Sequence, residues 1–136
     1  MRDHRELSAF QTTHELILAL HEAAHRIVDS DAGGLTGRMR AAALSAAGAI
    51  VRGASLPNRR FAGELEHAAC RLREIGYYID LAQRFGYLQL ESALELLERQ
   101  TRARLEVAGL LEGLVEEEAT GHLVLGSARM ESEIRV

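Results

Sequence analysis

The chain has 136 residues, 47% hydrophobic but only 4% aromatic, with one Pro, one Cys and no Trp. That supply suits a single helical domain with one core and excludes a miniprotein stapled by internal disulfides. A net charge of −4 with His neutral argues against a molecule drawn to phosphate backbones by its overall field, and no run reaches the roughly 20 apolar residues that a membrane span needs.

The opening stretch, MRDHRELSAF, is charged and lacks the apolar run of a signal peptide. Together with the lone Cys70, this predicts a soluble protein in a reducing, cytoplasmic compartment. A first helix is expected from about Leu7 to Asp29, with Phe10, Leu16, Ile17, Leu20, Ala24, Ile27 and Val28 on one broad apolar stripe. Asp31-Ala-Gly-Gly34 breaks it. A second helix follows from Thr36, the expected N-cap, through MRAAALSAAGAIV, whose small side chains let a neighbouring backbone come close. Gly53 and the Leu56-Pro57-Asn58 turn end it.

The third helix, from about Arg59 to Phe85, sets Phe61, Leu65, Ala68, Leu72, Ile75, Ile79 and Ala82 at alternating steps of four and three, the rhythm of a bundle seam. Gly86 is its expected stop. The fourth begins near Leu90 and carries Leu94, Leu97, Leu105, Ala108, Leu111 and Val115 along one side until Thr120-Gly121. The remainder, from 121 to 136, is less regular, and its HLVL segment reads as a short strand, a docked arm or a frayed end. The fold class is therefore all-α: an antiparallel up-down-up-down four-helix bundle over residues 1–120, with an irregular C-terminal extension over 121–136.

Beyond the seams, the third helix carries Tyr77, Tyr78, Leu81 and Phe85, and the first carries Leu7 and Leu18. Each large side chain left in water forgoes roughly 1.5–3 kcal/mol of burial, so these six residues are the expected contacts of a homo-oligomer. Tyr77 and Tyr78 point about 100° apart on a helix, which favours packing over base stacking.

Charge is distributed unevenly. From Leu35 to Gly63 there are five arginines, Arg38, Arg40, Arg52, Arg59 and Arg60, and no acid; from Leu105 to Gly126 there are five glutamates and no base. Arginines that converge would contact the phosphates of nucleic acid with a salt-sensitive affinity. The competing reading is that they pair with glutamates within or between subunits.

HEAAH, at positions 21–25, has the form of a zinc-hydrolase motif, with His21 and His25 as ligands and Glu22 as general base. Val28 stands where the aspartate variant of that motif has Gly, and Asp31 where it has its third ligand. Two His four apart arise readily in a helix, and nothing else suggests a cleft, so His14, His21 and His25 are read as hydrogen-bonded residues bordering a charged side. Cys70 has no His partner to activate it. No catalytic residue, metal site or cofactor is expected.

Two stretches carry a family resemblance. In FAGELEHAACRLREIGYYIDLAQRFGYL, the residues Phe61, Leu65, Glu66, Ala68, Leu72, Glu74, Tyr77, Leu81, Ala82, Gly86, Tyr87 and Leu88, and in GLTGRMRAAALSAAGAIVRG the residues Gly34, Leu35, Thr36, Arg40, Ala42, Ala43, Ser45, Ile50 and Gly53, form the pattern. The chain, over roughly positions 10–115, resembles the four-helix-bundle proteins encoded in intervening sequences of bacterial large-subunit ribosomal RNA genes, relatives of the accessory variability proteins of retroelements. The resemblance implies an antiparallel bundle assembled as a homopentamer, with nucleic acid as a partner in the basic branch. Ala41, Ala47, Ala49 and Arg52 depart from that branch's Arg, Pro, Asn and Glu.

Overall fold

Phe61, Leu65, Ala68, Leu72, Ile75, Ile79 and Ala82 are all completely buried, and they form the spine of the molecule. They lie along α3 (Asn58–Arg84) in a computed structural model that describes residues 2–27 and 34–134, with side chains through Thr120. Around that spine stand α1 (Ser8–Arg26), α2 (Leu35–Ala54) and α4 (Leu90–Ile134). Contacts run α1 to α2, α2 to α3, α3 to α4 and α4 back to α1. The result is a four-helix bundle in which α2 and α4 stand on opposite corners.

Cross-helix contacts give the direction of each helix. Between α2 and α3, Ser45 meets His67 and Arg52 meets Glu64. Between α3 and α4, Asn58 meets Glu117 and Leu72 meets Gln100. In both pairs one number rises as the other falls, so the neighbours are antiparallel, as their short connections require.

Small residues set the closeness of α2 to α3. Ala42, Ala43, Ala46, Ala49 and Ala54 are buried on α2. At Gly53 the approach is tightest, since a Cβ there would lie 2.6 Å from Phe61 Cδ1. The Phe61 ring also carries the Arg2 guanidinium over it, 4.5 Å from the ring centroid, a cation–π contact. Arg2 also donates to the Leu56 carbonyl at 3.0 Å and to Asn58 Oδ1, and Asn58 donates to Glu117. The N-terminal segment, the α2–α3 turn and α4 are thereby tied together at one end of the bundle.

The end of α3 follows from one backbone angle. Gly86 adopts φ +80°, which a side chain would resist. It lets Gly86 donate to the Gln83 carbonyl and Tyr87 to the Ala82 carbonyl, the two bonds of a Schellman cap.

Three features differ from the sequence reading. Thr36 is not the N-cap of α2: Gly34 is, and Thr36 is buried within the first turn. Leu35 and Thr36 are both buried at that start, and Gly34, without a side chain, makes no side-chain cap bond of its own. Second, on the Leu94, Leu97, Leu105, Ala108, Leu111, Val115 side of α4 only Leu97 and Leu111 pack against the core, half-buried, while the other four are exposed. The buried residues are Ala93, Leu96, Gln100, Ala103, Val107 and Leu114. The helix has two apolar stripes, and the bundle uses the one with smaller side chains because these allow closer approach. Third, the backbone of α4 stays helical past Thr120-Gly121 to Ile134. One glycine costs a helix only about 1 kcal/mol, and no proline follows to stop it. The strand alternative for the HLVL segment is not seen. Val28, Asp29 and Asp31 lie outside the described residues.

Candidate functional site

The second stripe of α4 is the most conspicuous surface. Leu90, Leu94, Leu97, Thr101, Leu105, Ala108, Leu111 and Val115 recur at steps of three and four, and Leu94, Leu105 and Val115 are 56%, 59% and 59% exposed. At 100° per residue this stripe is centred about 105° around the helix from the core face, so its inner edge, Leu97 and Leu111, touches the core while Leu94, Leu105 and Val115 point outward. Leu94, Leu97, Thr101 and Leu105, flanked by Glu98 and Arg102, line an open groove of about 430 Å³. Each half-exposed Leu or Val here stands to gain about 1 kcal/mol if covered.

On the opposite corner, α2 repeats the pattern in smaller form. Arg40, Leu44, Ala47 and Val51 follow one another at steps of four, three and four, with Leu44 62% exposed. Sequence reading missed Leu44 and Val51, because an Ala-rich helix shows no sharp boundary between core and outer face. Both outer stripes have the heptad rhythm that lets one helix pack along another.

The six expected contact residues divide into two groups. Leu18, Tyr77 and Phe85 stand exposed, whereas Leu7, Tyr78 and Leu81 are half-buried against their own core. Tyr78 donates its hydroxyl hydrogen to Glu74 at 2.5 Å, and Arg71 donates to the same carboxylate at 2.7 Å. The Glu74 hydrogen bond holds the phenol above its ordinary pKa, partial burial adds to this, and the nearby Arg38 opposes it.

The five arginines do not meet in one patch. Arg38 and Arg52 are fourteen residues apart on one helix, about 21 Å at 1.5 Å per residue. Arg38 sits beside Tyr78, and Arg52 pairs with Glu64 at 3.2 Å. Arg40 is half-buried on the outer stripe of α2, and Arg59 and Arg60 are exposed at the start of α3. Neighbouring helices take up part of this charge, and none of the ion pairs among described residues reaches α4 from an arginine of this group.

His14, His21 and His25 are all exposed, on the side of α1 turned away from Leu16 and Leu20. His21 and His25 bring their Nε2 atoms to 3.1 Å. Among the described residues no group of three His, Cys, Asp or Glu side chains is arranged to hold a metal ion. Cys70 is exposed. Near the N-terminus, Arg5 donates to the Asp3 carboxylate twice from its side chain and once from its backbone N–H, which holds that carboxyl below the usual carboxylate range.

Fold and surface together define an all-α four-helix bundle with apolar outer stripes on two opposite helices. No described helix is long and apolar enough to cross a membrane. Comparison of the sequence with protein-family models and with curated proteins finds no match to either.

Proposed function

We propose that the chain is a non-enzymatic homo-oligomeric scaffold or protein-interaction module of the cytoplasm, whose copies join head to tail, the outer stripe of α4 on one against the outer stripe of α2 on the next. The observation that carries this reading is the exposed apolar row Leu90, Leu94, Leu105 and Val115 of α4, which stands outside the bundle's own core. Charge supports the pairing. α2 carries Arg38, Arg40 and Arg52 and no acid, while α4 between Leu105 and Thr120 carries Glu106, Glu112, Glu116, Glu117 and Glu118 and no base.

Joining two different faces is a heterologous contact, and repeating it closes a ring when the rotation fits. Faces on opposite corners of the bundle suit that arrangement better than a two-fold dimer. A ring of five is the size implied by the resemblance to the intervening-sequence proteins. A non-enzymatic role is supported by the placement of the HEAAH histidines in exposed positions on an outward face.

Mass in solution tests the reading. Light scattering at micromolar concentration is expected to give a multiple of 15.0 kDa, about 75 kDa for five copies. Leu105→Glu and Leu44→Glu are each expected to stay monomeric with helix content intact. Mixed, they form a heterodimer, because each variant brings one unaltered face. A monomeric wild type overturns the scaffold reading, and a mixture that stays monomeric overturns the α2-to-α4 pairing.

A further inference from the structure

We propose that His21 and His25 form a two-imidazole chelate for one borderline divalent ion of the Zn²⁺, Ni²⁺ or Cu²⁺ kind, at a non-catalytic site on the outer face of α1. The two side chains lie one turn apart, both exposed, with Nε2 atoms 3.1 Å from each other. The ring centroids are farther apart, at 4.5 Å, so the Nε2 edges are turned toward one another. An ion bound at about 2.0–2.1 Å by two imidazoles sets their nitrogens about 2.9 Å apart at a right angle and about 3.3 Å apart at the tetrahedral angle. The observed separation falls between these values, so the spacing of the two nitrogens already matches that of a shared ion.

The backbone contribution is already made, because residues 21 to 25 belong to α1. Without an ion, one ring donates a single hydrogen bond to the other in full contact with water, an interaction of small net value. A metal replaces it with two coordinate bonds. Ligand type decides the class of ion: two neutral imidazole nitrogens suit Zn²⁺, Ni²⁺ and Cu²⁺, whereas Ca²⁺ and Mg²⁺ require oxygen donors. No third His, Cys, Asp or Glu among the described residues joins them. The described residues thus supply two ligands and leave the remaining coordination positions to other donors, water among them. Two imidazoles from one exposed helix face make a surface chelate, whereas a catalytic zinc site takes three protein ligands.

The test uses the full chain without an affinity tag, dialysed against Ni²⁺ alone. One equivalent is expected to bind with an affinity on the order of tens of micromolar, weakened at least tenfold in His21→Ala and in His25→Ala. His14→Ala and His67→Ala are expected to bind as the wild type does. Saturation should also raise the wild-type melting temperature, because the chelate exists only while residues 21 to 25 are helical, and this rise should vanish in His21→Ala. All these histidines are exposed, so the variants keep their fold, which circular dichroism verifies. No stoichiometric binding at about 100 micromolar Ni²⁺ would reduce the pair to a hydrogen bond and overturn the proposal. Undiminished binding in the two single variants would do the same.

Discussion

Gly53→Ala puts the packing of α2 on α3 to a quantitative test. An alanine Cβ at this position would stand 2.6 Å from Phe61 Cδ1 and 2.9 Å from Glu64 Cβ. Neither atom yields easily. Phe61 is fully buried with Arg2 over its ring, and the Glu64 Cβ is fixed to the α3 backbone. Relief therefore requires the two helices to separate. Overpacking of this kind costs about 1–3 kcal/mol, and the gain from replacing helical Gly by Ala returns about 1 kcal/mol. With two rigid contacts the upper part of the cost range applies, leaving a net loss of about 1–2 kcal/mol, or about 4–8 °C in Tm for a domain of this size. Gly37→Ala and Gly63→Ala are the controls, since a Cβ at either meets nothing within 4 Å. They should gain about 0.5–1 kcal/mol from helix propensity. Thermal and urea unfolding followed by circular dichroism, all at one protein concentration because assembly adds to stability, measures the three. A Gly53→Ala protein as stable as the Gly63→Ala protein would refute the reasoning.

Three further outcomes are expected. Gln100 is buried in α4 and donates to the Leu72 carbonyl at 3.0 Å, with its amide 3.1 Å from where a Gly76 Cβ would lie. Gly76→Ala should therefore cost less in a Gln100→Ala background, with a coupling of about 0.5–2 kcal/mol in a double-mutant cycle; strict additivity would show that the two do not press on each other. Tyrosinate absorbance should show Tyr78 ionising above 10.0, an increment that Tyr78→Phe removes and Glu74→Gln brings to lower pH. Because its folded pKa is the higher one, the stability from the Tyr78–Glu74 bond is complete below 10.0 and is lost as pH rises through the folded value. Arg2→Ala removes the cation–π contact and the bond to the Leu56 carbonyl, and should lower stability by about 1 kcal/mol without changing the mass in solution; a change in mass would place Arg2 at an interface instead.

The bundle was legible because α3 alternates buried apolar residues with charged ones such as Glu66, Arg73 and Asp80, so only one face can turn inward. The stop at Gly86 was equally plain, since a left-handed residue there closes both cap bonds. The candidate site was only half legible. Leu18, Tyr77 and Phe85 stand exposed, but the spacing of α4 does not show which of its two apolar stripes turns inward, and Leu44 and Val51 on α2 give no signal among so many alanines. Likewise, five arginines close in sequence imply a patch only if the helix carrying them turns them to one place, and α2 sets Arg38 and Arg52 about 21 Å apart.

Sequence alone determined the number of helices, the spine of α3 and the antiparallel order, because periodicity and turn residues act locally. Which of α4's two apolar stripes faces inward was decided only by tertiary packing. Ala93, Ala103 and Val107 let α4 lie close to its neighbours, whereas the larger leucines of the other stripe would have held it away. The fit of Gly53 under Phe61, and the meeting of Arg2, Asn58 and Glu117 at one end, likewise depend on distances between segments far apart in the chain, which no single helix can specify.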